Sequence, residues 1–576
     1  MYKISIKENC TYNKVFMNDF LNNINLIRKN WVPSKRWESE LWRNEEKDKI
    51  LIKKFPPTKQ ERNYAKNYAH TVVKVIDKLD QQSISKSTDA MIAINTIFSL
   101  PSLMAPVLGG ISGYLTSRAS KTLKNQKKLS AFNGAMIGAG IYSIISQFIS
   151  SQLEKEATRL ARFQSRRNAS SSLSDFVVDK QLSKESQDKI FYQIEKDNDS
   201  PKLNFSQSLK KAFKTLKEMQ NDYKEFKKWK KDFKNKEVKA NEIISSTKFT
   251  DEEIIQAQKD RNKITNIIYK LELAANNEEI NFQYAIDLLQ FGAKMSGAVL
   301  ATLLCCLIPK SSNLTSSKLI KNSKILIPFT IPIFSIYLVT LLAKYQKDSA
   351  KLGRYEKKKE LINNEENFIT FDDSKRNEIA LQKDSVIDEN IIKRVFKDIK
   401  SIKTMPKRLG AMYSDYKFSE TNKASNDTKI TEKQKKDAEL LQKQLYYSYE
   451  KIDEKSEGFS DDMDVILKSA KIGIGTAINV GFNIYSLNLL TKKLKGFNNN
   501  KMPGFFEGIK LMKHLKRNDM ISVFIIPYII KSCVCVLLDT ISSIYRKKAN
   551  KVGVMTAINE LQDEKIFTSD YLNGVL

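Results

Sequence analysis

Two kinds of helical pattern alternate along the chain. Polar stretches carry apolar residues at helical spacing, and between them lie apolar segments of membrane-spanning length. These segments form three pairs, 90–116 with 131–152, 286–308 with 324–344, and 465–490 with 520–543. Each approaches the ~20 residues that a helix needs to cross ~30 Å of hydrocarbon. The clearest is 325–343, whose Pro328 and Pro332 kink a spanning helix but break a soluble one. Others are softer: 90–116 holds Asn95, Pro101 and Pro106, and 465–490 holds Lys468, Lys471 and Asn479. Gly134 with Gly138, and Gly473 with Gly475, have the spacing of helices that approach closely in lipid. In the polar stretch 208–236, Leu209, Phe213, Leu216, Met219, Tyr223, Phe226 and Trp229 make one apolar stripe beside a lysine-rich face.

The same landmarks recur in the same order three times. An aromatic anchor opens each unit at Phe16, Phe213 and Phe396. Next come capping boxes at Thr58–Glu61, Thr250–Glu253 and Thr431–Gln434. In each, the threonine hydroxyl accepts the third residue's N–H while the Glu or Gln side chain returns to the threonine N–H. Lys78, Lys270 and Lys451 follow, then Asp89, Asp287 and Asp464 at the entry to each hairpin. A basic exit helix carries Arg159-Leu-Ala161, Lys351-Leu-Gly353 and Lys551-Val-Gly553, and Phe176, Phe368 and Phe567 close the units. A fixed order of landmarks is the signature of internal repetition. The chain is therefore divided at 1–180, 181–375 and 376–576, with hairpins at 90–152, 286–344 and 465–543.

Composition changes this picture little. The 576 residues carry a net charge of +31, but Lys far outnumbers Arg and Asn and Ile abound, as an AT-rich coding background also produces. The start lacks the apolar run of a signal peptide. Of the five cysteines, Cys305, Cys306, Cys533 and Cys535 lie in apolar segments, so packed thiols are expected rather than a disulfide framework.

Catalytic signals are sparse. With His70 and His514 as the only histidines, the chain has no H-E-x-x-H and little scope for a His-paired nucleophile. It has no phosphate-binding glycine loop and no G-x-S-x-G. Cys533 and Cys535 make a poor metal site without partners. The sequence thus predicts no enzyme, no cofactor and no metal. What stands out is charge inside the apolar segments: Asp287 with Lys294, Asp464 with Lys471, and Lys531 with Asp539. Ionisable groups at membrane depth are costly and face a bundle interior or a water path. Helix-start aspartates and snorkelling lysines are the plainer explanation.

The expected fold is all-α: a multi-pass membrane protein of three repeated units, each with amphipathic helices and an apolar helical hairpin. The expected role is a non-enzymatic membrane scaffold whose basic helical domains contact anionic lipid or an acidic protein partner. A transporter or pore with a polar path between the hairpins is the first alternative. A basic soluble nucleic-acid-binding protein is the second, and it is disfavoured because the 208–236 aromatics form a core stripe. Basic residues flank every hairpin at both ends. Taken literally, the positive-inside rule puts the hairpin connections in the cytoplasm, which requires exporting an unsignalled N-terminal segment and two large lysine-rich loops. Re-entrant hairpins that never cross are a third solution. Both termini and the long polar segments are placed in the cytoplasm. Three pairs of spans match the mitochondrial carriers in number only, since their Pro-x-Asp-x-x-Lys signature is absent, and no family is assigned.

Overall fold

The computed structural model describes residues 20–119, 127–169, 251–307, 346–363, 431–493 and 526–562, with parts of 177–178, 225–250, 369–379, 400–414 and 564–568; along 80–103 and 289–307 it describes the backbone. Every regular element among them is helical, so the fold is all-α. The 325–343 segment, the anchors Phe16, Phe213 and Phe396, and most of the 208–236 stripe lie outside the described residues.

Helix α1 (Trp31–Lys54) leads to the first of three very long helices: α2 (Lys59–Ala119, 61 residues). Its return helix is α3 (Lys127–Ala169). The second long helix is α4 (Asp251–Leu307, 57 residues), followed by α5 (Gln346–Asn363) and the short α6 (Asp373–Asn377). The third is α7 (Glu432–Lys493, 62 residues), with α8 (Ile526–Glu560) as its return and a 3-10 turn at Glu564–Phe567.

All three long helices start with the same bonds. The Thr58 N–H donates to Glu61 at 2.7 Å while the Glu61 N–H donates to the Thr58 hydroxyl at 3.3 Å. The corresponding distances are 2.9 and 3.3 Å at Thr250–Glu253, and 3.0 and 3.3 Å at Thr431–Gln434. Two donors that the first turn leaves without partners are thereby satisfied each time.

Beyond the caps, the same helical positions point into one core. Seven residues on stand Ala65, Ala257 and Ala438. Fourteen on stand Val72, Ile264 and Leu445, eighteen on Ile76, Ile268 and Tyr449, and twenty-one on Leu79, Leu271 and Ile452. All twelve are buried in one hydrophobic cluster, spaced as a single helix face requires. The return helices add Leu361 and Leu561, each eight residues after Gly353 or Gly553, and Phe567. Val177 and Ile369, which follow Phe176 and Phe368, pack on the same core.

Helices α2 and α3, α4 and α5, and α7 and α8 pair as antiparallel hairpins. Each long helix also packs against the return helix of a different hairpin: α2 against α5, α4 against α8, and α7 against α3. Following the contacts gives a closed ring in the order α2, α3, α7, α8, α4, α5 and back to α2. Helices α5 and α8 seat their glycines at one depth. A Cβ on Gly353 would lie 2.7 Å from the Ala274 carbonyl, and one on Gly553 would overlap the carbonyl of Lys455. Ala274 and Lys455 both lie twenty-four residues after their cap threonines.

Further along the same helices the pattern turns inside out. Leu108 is 61% exposed, Ile141 55% and Leu537 59%. Their small neighbours face inward: a Cβ on Gly109, Gly113 or Gly134 would strike the backbone of the facing helix. Gly473 and Gly475 differ, because nothing lies within 4 Å of a Cβ at either. They lie on nearly opposite sides of α7, and a Cβ at either meets open space. Two stretches among the described residues are long and apolar enough to cross a membrane, Ser130–Ser151 and one within Glu432–Ser486, and their apolar windows are only 6% and 11% buried. A soluble core helix of that composition is mostly buried, and these two are not.

Candidate binding cavity

Where the core ends and the apolar halves begin, lysines join neighbouring hairpins. Lys155 of α3 donates to Asp462 of α7 and, at 3.1 Å, to the Gly458 carbonyl. Lys547 of α8 donates to Asn281 of α4. Each lysine lies six residues before Ala161 or Gly553, and each acceptor lies thirty-one residues after its cap threonine. The remaining hairpins carry Asp89 and Lys347 at these two positions, with side chains outside the described residues. Beside the second joint, Asn276 of α4 donates to Ser456 at 2.9 Å and Asn550 at 3.3 Å, tying α4, α7 and α8 together.

Above this level a cavity of about 420 Å³ opens between α3, α4, α7 and α8. Five of the six charges predicted from sequence line it: Asp287, Asp464, Lys471, Lys531 and Asp539. Lys294 lies beyond Asp287 on α4, with its side chain outside the described residues. Lys471 of α7 donates to Asp539 of α8, and Asp539 is only 9% exposed. Asp464 pairs with Lys468 at 2.7 Å and faces the Arg546 Nε at 3.5 Å. The Tyr284 hydroxyl meets that of Thr540 at 3.0 Å across the α4–α8 seam. Asp287 and Lys531 have no hydrogen bond or ion pair among the described residues. Asp287 nevertheless lies close enough to feel both Asp539 and Lys471.

Counted along unbroken helices, Asp287 lies thirty-seven residues after Thr250, whereas Asp464 lies thirty-three after Thr431. The pairs Asp287/Lys294 and Asp464/Lys471 thus differ by about one helical turn in their distance from the caps. Asp89, Asn281 and Asp462 each lie thirty-one residues after a cap threonine. Asp539 has its own counterpart in Gln147 of α3, since each lies fourteen residues before its Gly553 or Ala161, and both line the cavity.

The charged groups below the cavity follow from burial and caps. Burial pushes Glu279 up, against the pull of Arg546. Burial likewise raises Asp260, with Lys263 pulling the other way. The cap bond from the Thr58 N–H lowers Glu61, and that from Thr250 lowers Glu253. Sequence reasoning missed Gln147, Gln283, Tyr284 and Arg546 in the cavity wall, and both lysine joints. A signal for the joints existed: Lys155, Lys347 and Lys547 share one position in the three exit helices. No group of three or more possible metal ligands occurs among the described residues. No family model, curated protein or solved structure matches the chain.

Proposed function

We propose that the chain is a multi-pass integral membrane scaffold of three homologous hairpin units closed into a ring. Its basic helical layer holds anionic lipid or an acidic partner at the surface, and no enzymatic step is assigned to it. The observation that supports the membrane part is the inversion along α2 and α7, from a buried apolar core near the caps to exposed apolar faces further along, at Leu108 and Ile474. Lipid is the solvent in which that second arrangement is stable. Shared core positions, matching caps and two lysine joints at identical register support the repeat. The net charge of +31 supports the anionic partner.

In this reading the long polar segments and both termini face the cytoplasm. Alkaline carbonate should leave the protein in the membrane pellet; release into the supernatant overturns insertion. Proteoliposomes carrying the chain should tether a second population of phosphatidylserine vesicles but not of phosphatidylcholine vesicles, and high salt should reverse the tethering. Equal tethering of neutral vesicles removes the charge-based role. The ring has its own test at the third joint: Asp89→Lys and Lys347→Asp should each lower the melting temperature, and combining them should recover most of the loss.

A second reading is transport along a polar path inside the ring, and the charged cavity is what favours it. Solute flux into proteoliposomes, lost on substitution of cavity residues, separates it from a purely structural role.

A further inference from the structure

The cap ends of the long helices differ in charge. The first turn of α4 carries Asp251, Glu252 and Glu253, the acids that a helix start favours, whereas that of α2 carries Glu61 alone. Glu61 is committed to the Thr58 cap. Beside this turn a second cavity, of about 1100 Å³, opens between the end of α1, the start of α2, Lys263 of α4 and residues 369–375. Its apolar wall is made by Phe55, Tyr64, Tyr68, Ile369 and Phe371, with Phe55 51% and Tyr64 44% exposed. In the lining and the adjoining 53–62 segment stand Lys53, Lys54, Lys59, Arg62, Lys263 and Lys375. Against them are Glu61 and, acting on Tyr64 without lining the cavity, Asp260 and Asp437. Basic groups thus outnumber acids two to one at this corner.

The corner belongs to the first unit alone. Six and ten residues after the cap threonine α2 has Tyr64 and Tyr68, while α4 has Gln256 and Asp260 and α7 has Asp437 and Leu441. At the start of α4, the Lys565 ammonium sits 5.8 Å from the Phe249 ring. Tyr68 adds an independent observation. It is 7% exposed and lies in the cavity wall, and its hydroxyl has no hydrogen-bond partner among the described residues. A buried hydroxyl without a partner costs free energy, which an oxygen entering the cavity relieves. The Lys263 ammonium stands 5.9 Å from the same ring, so the entering oxygen that fits best is anionic.

Depth decides which kind of anion reaches it. Helix α2 is unbroken, and Tyr68 lies twenty-one residues, about 32 Å, before Asp89 at the level of the lysine joints. The headgroup layer adds only about 5–8 Å outside the hydrocarbon on each side. A lipid phosphate therefore falls short of the cavity, and a soluble acidic chain does not. The rim is exposed and the volume lies beyond the ~300–1000 Å³ of small-molecule sites, which suits a peptide segment.

We propose that this corner docks an acidic protein segment, which sets an aromatic side chain against Phe55, Tyr64 and Phe371 and its carboxylates on Lys54, Lys263 and the Tyr68 hydroxyl. The site gives the basic layer of the scaffold a protein partner, and it rests on the membrane reading for its distance from lipid.

Fluorescence anisotropy tests it, with full-length protein purified in detergent and a labelled glutamate-rich peptide bearing one central phenylalanine. One control peptide has glutamine for every glutamate, and another has glutamate for the phenylalanine. The expected result is saturable binding of the first peptide, reversed by salt, absent with the glutamine control and about tenfold weaker with the all-glutamate one. Lys54→Glu, Tyr64→Ala and Tyr68→Phe should each weaken binding about tenfold. Tyr68→Phe should keep or raise the melting temperature, because no internal hydrogen bond is lost. Lys407→Glu should leave binding unchanged, since Met405 and Leu409 beside it pack on Phe282, thirty-two residues along α4 from its cap. No binding by the unmutated protein overturns the proposal. So does a loss in Lys407→Glu equal to that in Lys54→Glu, which means diffuse charge, or equal binding of the all-glutamate peptide. Unchanged affinity in Tyr68→Phe overturns the role of the hydroxyl and with it the site as built. Phosphatidylserine tethering that survives Lys54→Glu and Tyr64→Ala, with the peptide lost, assigns lipid and peptide to different surfaces. Peptide binding by a protein that alkaline carbonate releases keeps the site and removes insertion.

Discussion

The capped and apolar halves of α2 and α7 obey opposite rules. In the capped half of α4, Ile264, Ile268 and Leu271 are buried and Lys270 turns to Glu45 of α1 at 2.9 Å; in the apolar half of α7, Ile474 is 41% exposed while Lys471 turns inward to Asp539. One continuous helix, α7, thus passes from buried apolar residues at Leu445 and Ile452 to an exposed one at Ile474. The cross-hairpin lysines Lys155 and Lys547 lie at that change, each able to reach a neighbouring helix while its stem packs on apolar surface. The capped half holds together by burying apolar area. In the apolar half the described contacts are close backbone approach at Gly109 and Gly134, the hydrogen bond between Asn483 and Asn133, and the Lys471–Asp539 pair.

The most severe way to break the comparison is to remove charge from the inside of the apolar half. Lys471→Met leaves Asp539, 9% exposed, without its ammonium. The expected loss is about 3 kcal/mol, the low end for a broken buried pair because a third of Lys471 stays exposed. Lys471→Met with Asp539→Leu should recover most of it, since the pair then becomes two apolar side chains. Denaturant unfolding of the four proteins in detergent measures the coupling, and additive losses mean that the two residues act independently.

Small residues give the next test, because the two glycine motifs look alike in sequence and differ in place. Gly113→Ala drives a methyl into the Ser130 carbonyl and should cost about 1–3 kcal/mol by forcing α2 from α3. Gly475→Ala meets open space and should stabilise, by up to about 1 kcal/mol, because alanine loses less backbone freedom in a helix. Melting temperatures moving in the same direction for both variants would erase the distinction between the two motifs.

How much of this was readable beforehand follows the same division. The caps were legible because a capping box is local: the spacing of Thr250 and Glu253 fixes both bonds. The buried stripe of α4 was legible for the same reason, through the helical period. The pairing of Lys471 with Asp539 needed only that α7 and α8 fold back on each other. The ring was not legible, because nothing within one hairpin says which neighbour receives Lys155 or Lys547. Apolar segments have few distinguishing residues, so Asp287 and Asp464 stood out as landmarks although they lie at different distances from their cap threonines, whereas Asn281 and Asp462 lie at the same distance but differ in charge.

Breaking the capped half should be milder, because each cap is exposed and local. Thr250→Ala removes the hydroxyl acceptor for the Glu253 N–H and should cost about 1 kcal/mol. The loss should appear as faster amide exchange in the first turn of α4, with exchange around Lys471 and Asp539 unaffected. Uniform acceleration along α4 would mean that the first turn and the core melt together.

The smallest effect separates the three caps by pH. Glu61 and Glu253 are held below the ordinary glutamate range by the backbone N–H of Thr58 and Thr250, whereas the third cap uses Gln434, which has no proton to gain. A carboxyl whose folded pKa is lowered adds stability that is present above its unfolded pKa and disappears as pH falls through its folded one. Acidification through and below the glutamate range should therefore loosen the first turns of α2 and α4 while α7 keeps its cap. Asp260 has the opposite sign: burial raises it, so its contribution favours the fold at low pH and is lost as pH rises through its folded pKa. It sits ten residues into α4, and protonation there should hold the helix body firm while the first turn frays. Amide exchange followed at residues 59–62, 251–254 and 432–435 from neutral to acidic pH reads the difference directly. Glu253→Gln should convert the α4 start to the behaviour of α7, and an α7 cap that loosens in step with the other two would show that acid acts on the whole bundle rather than on its caps.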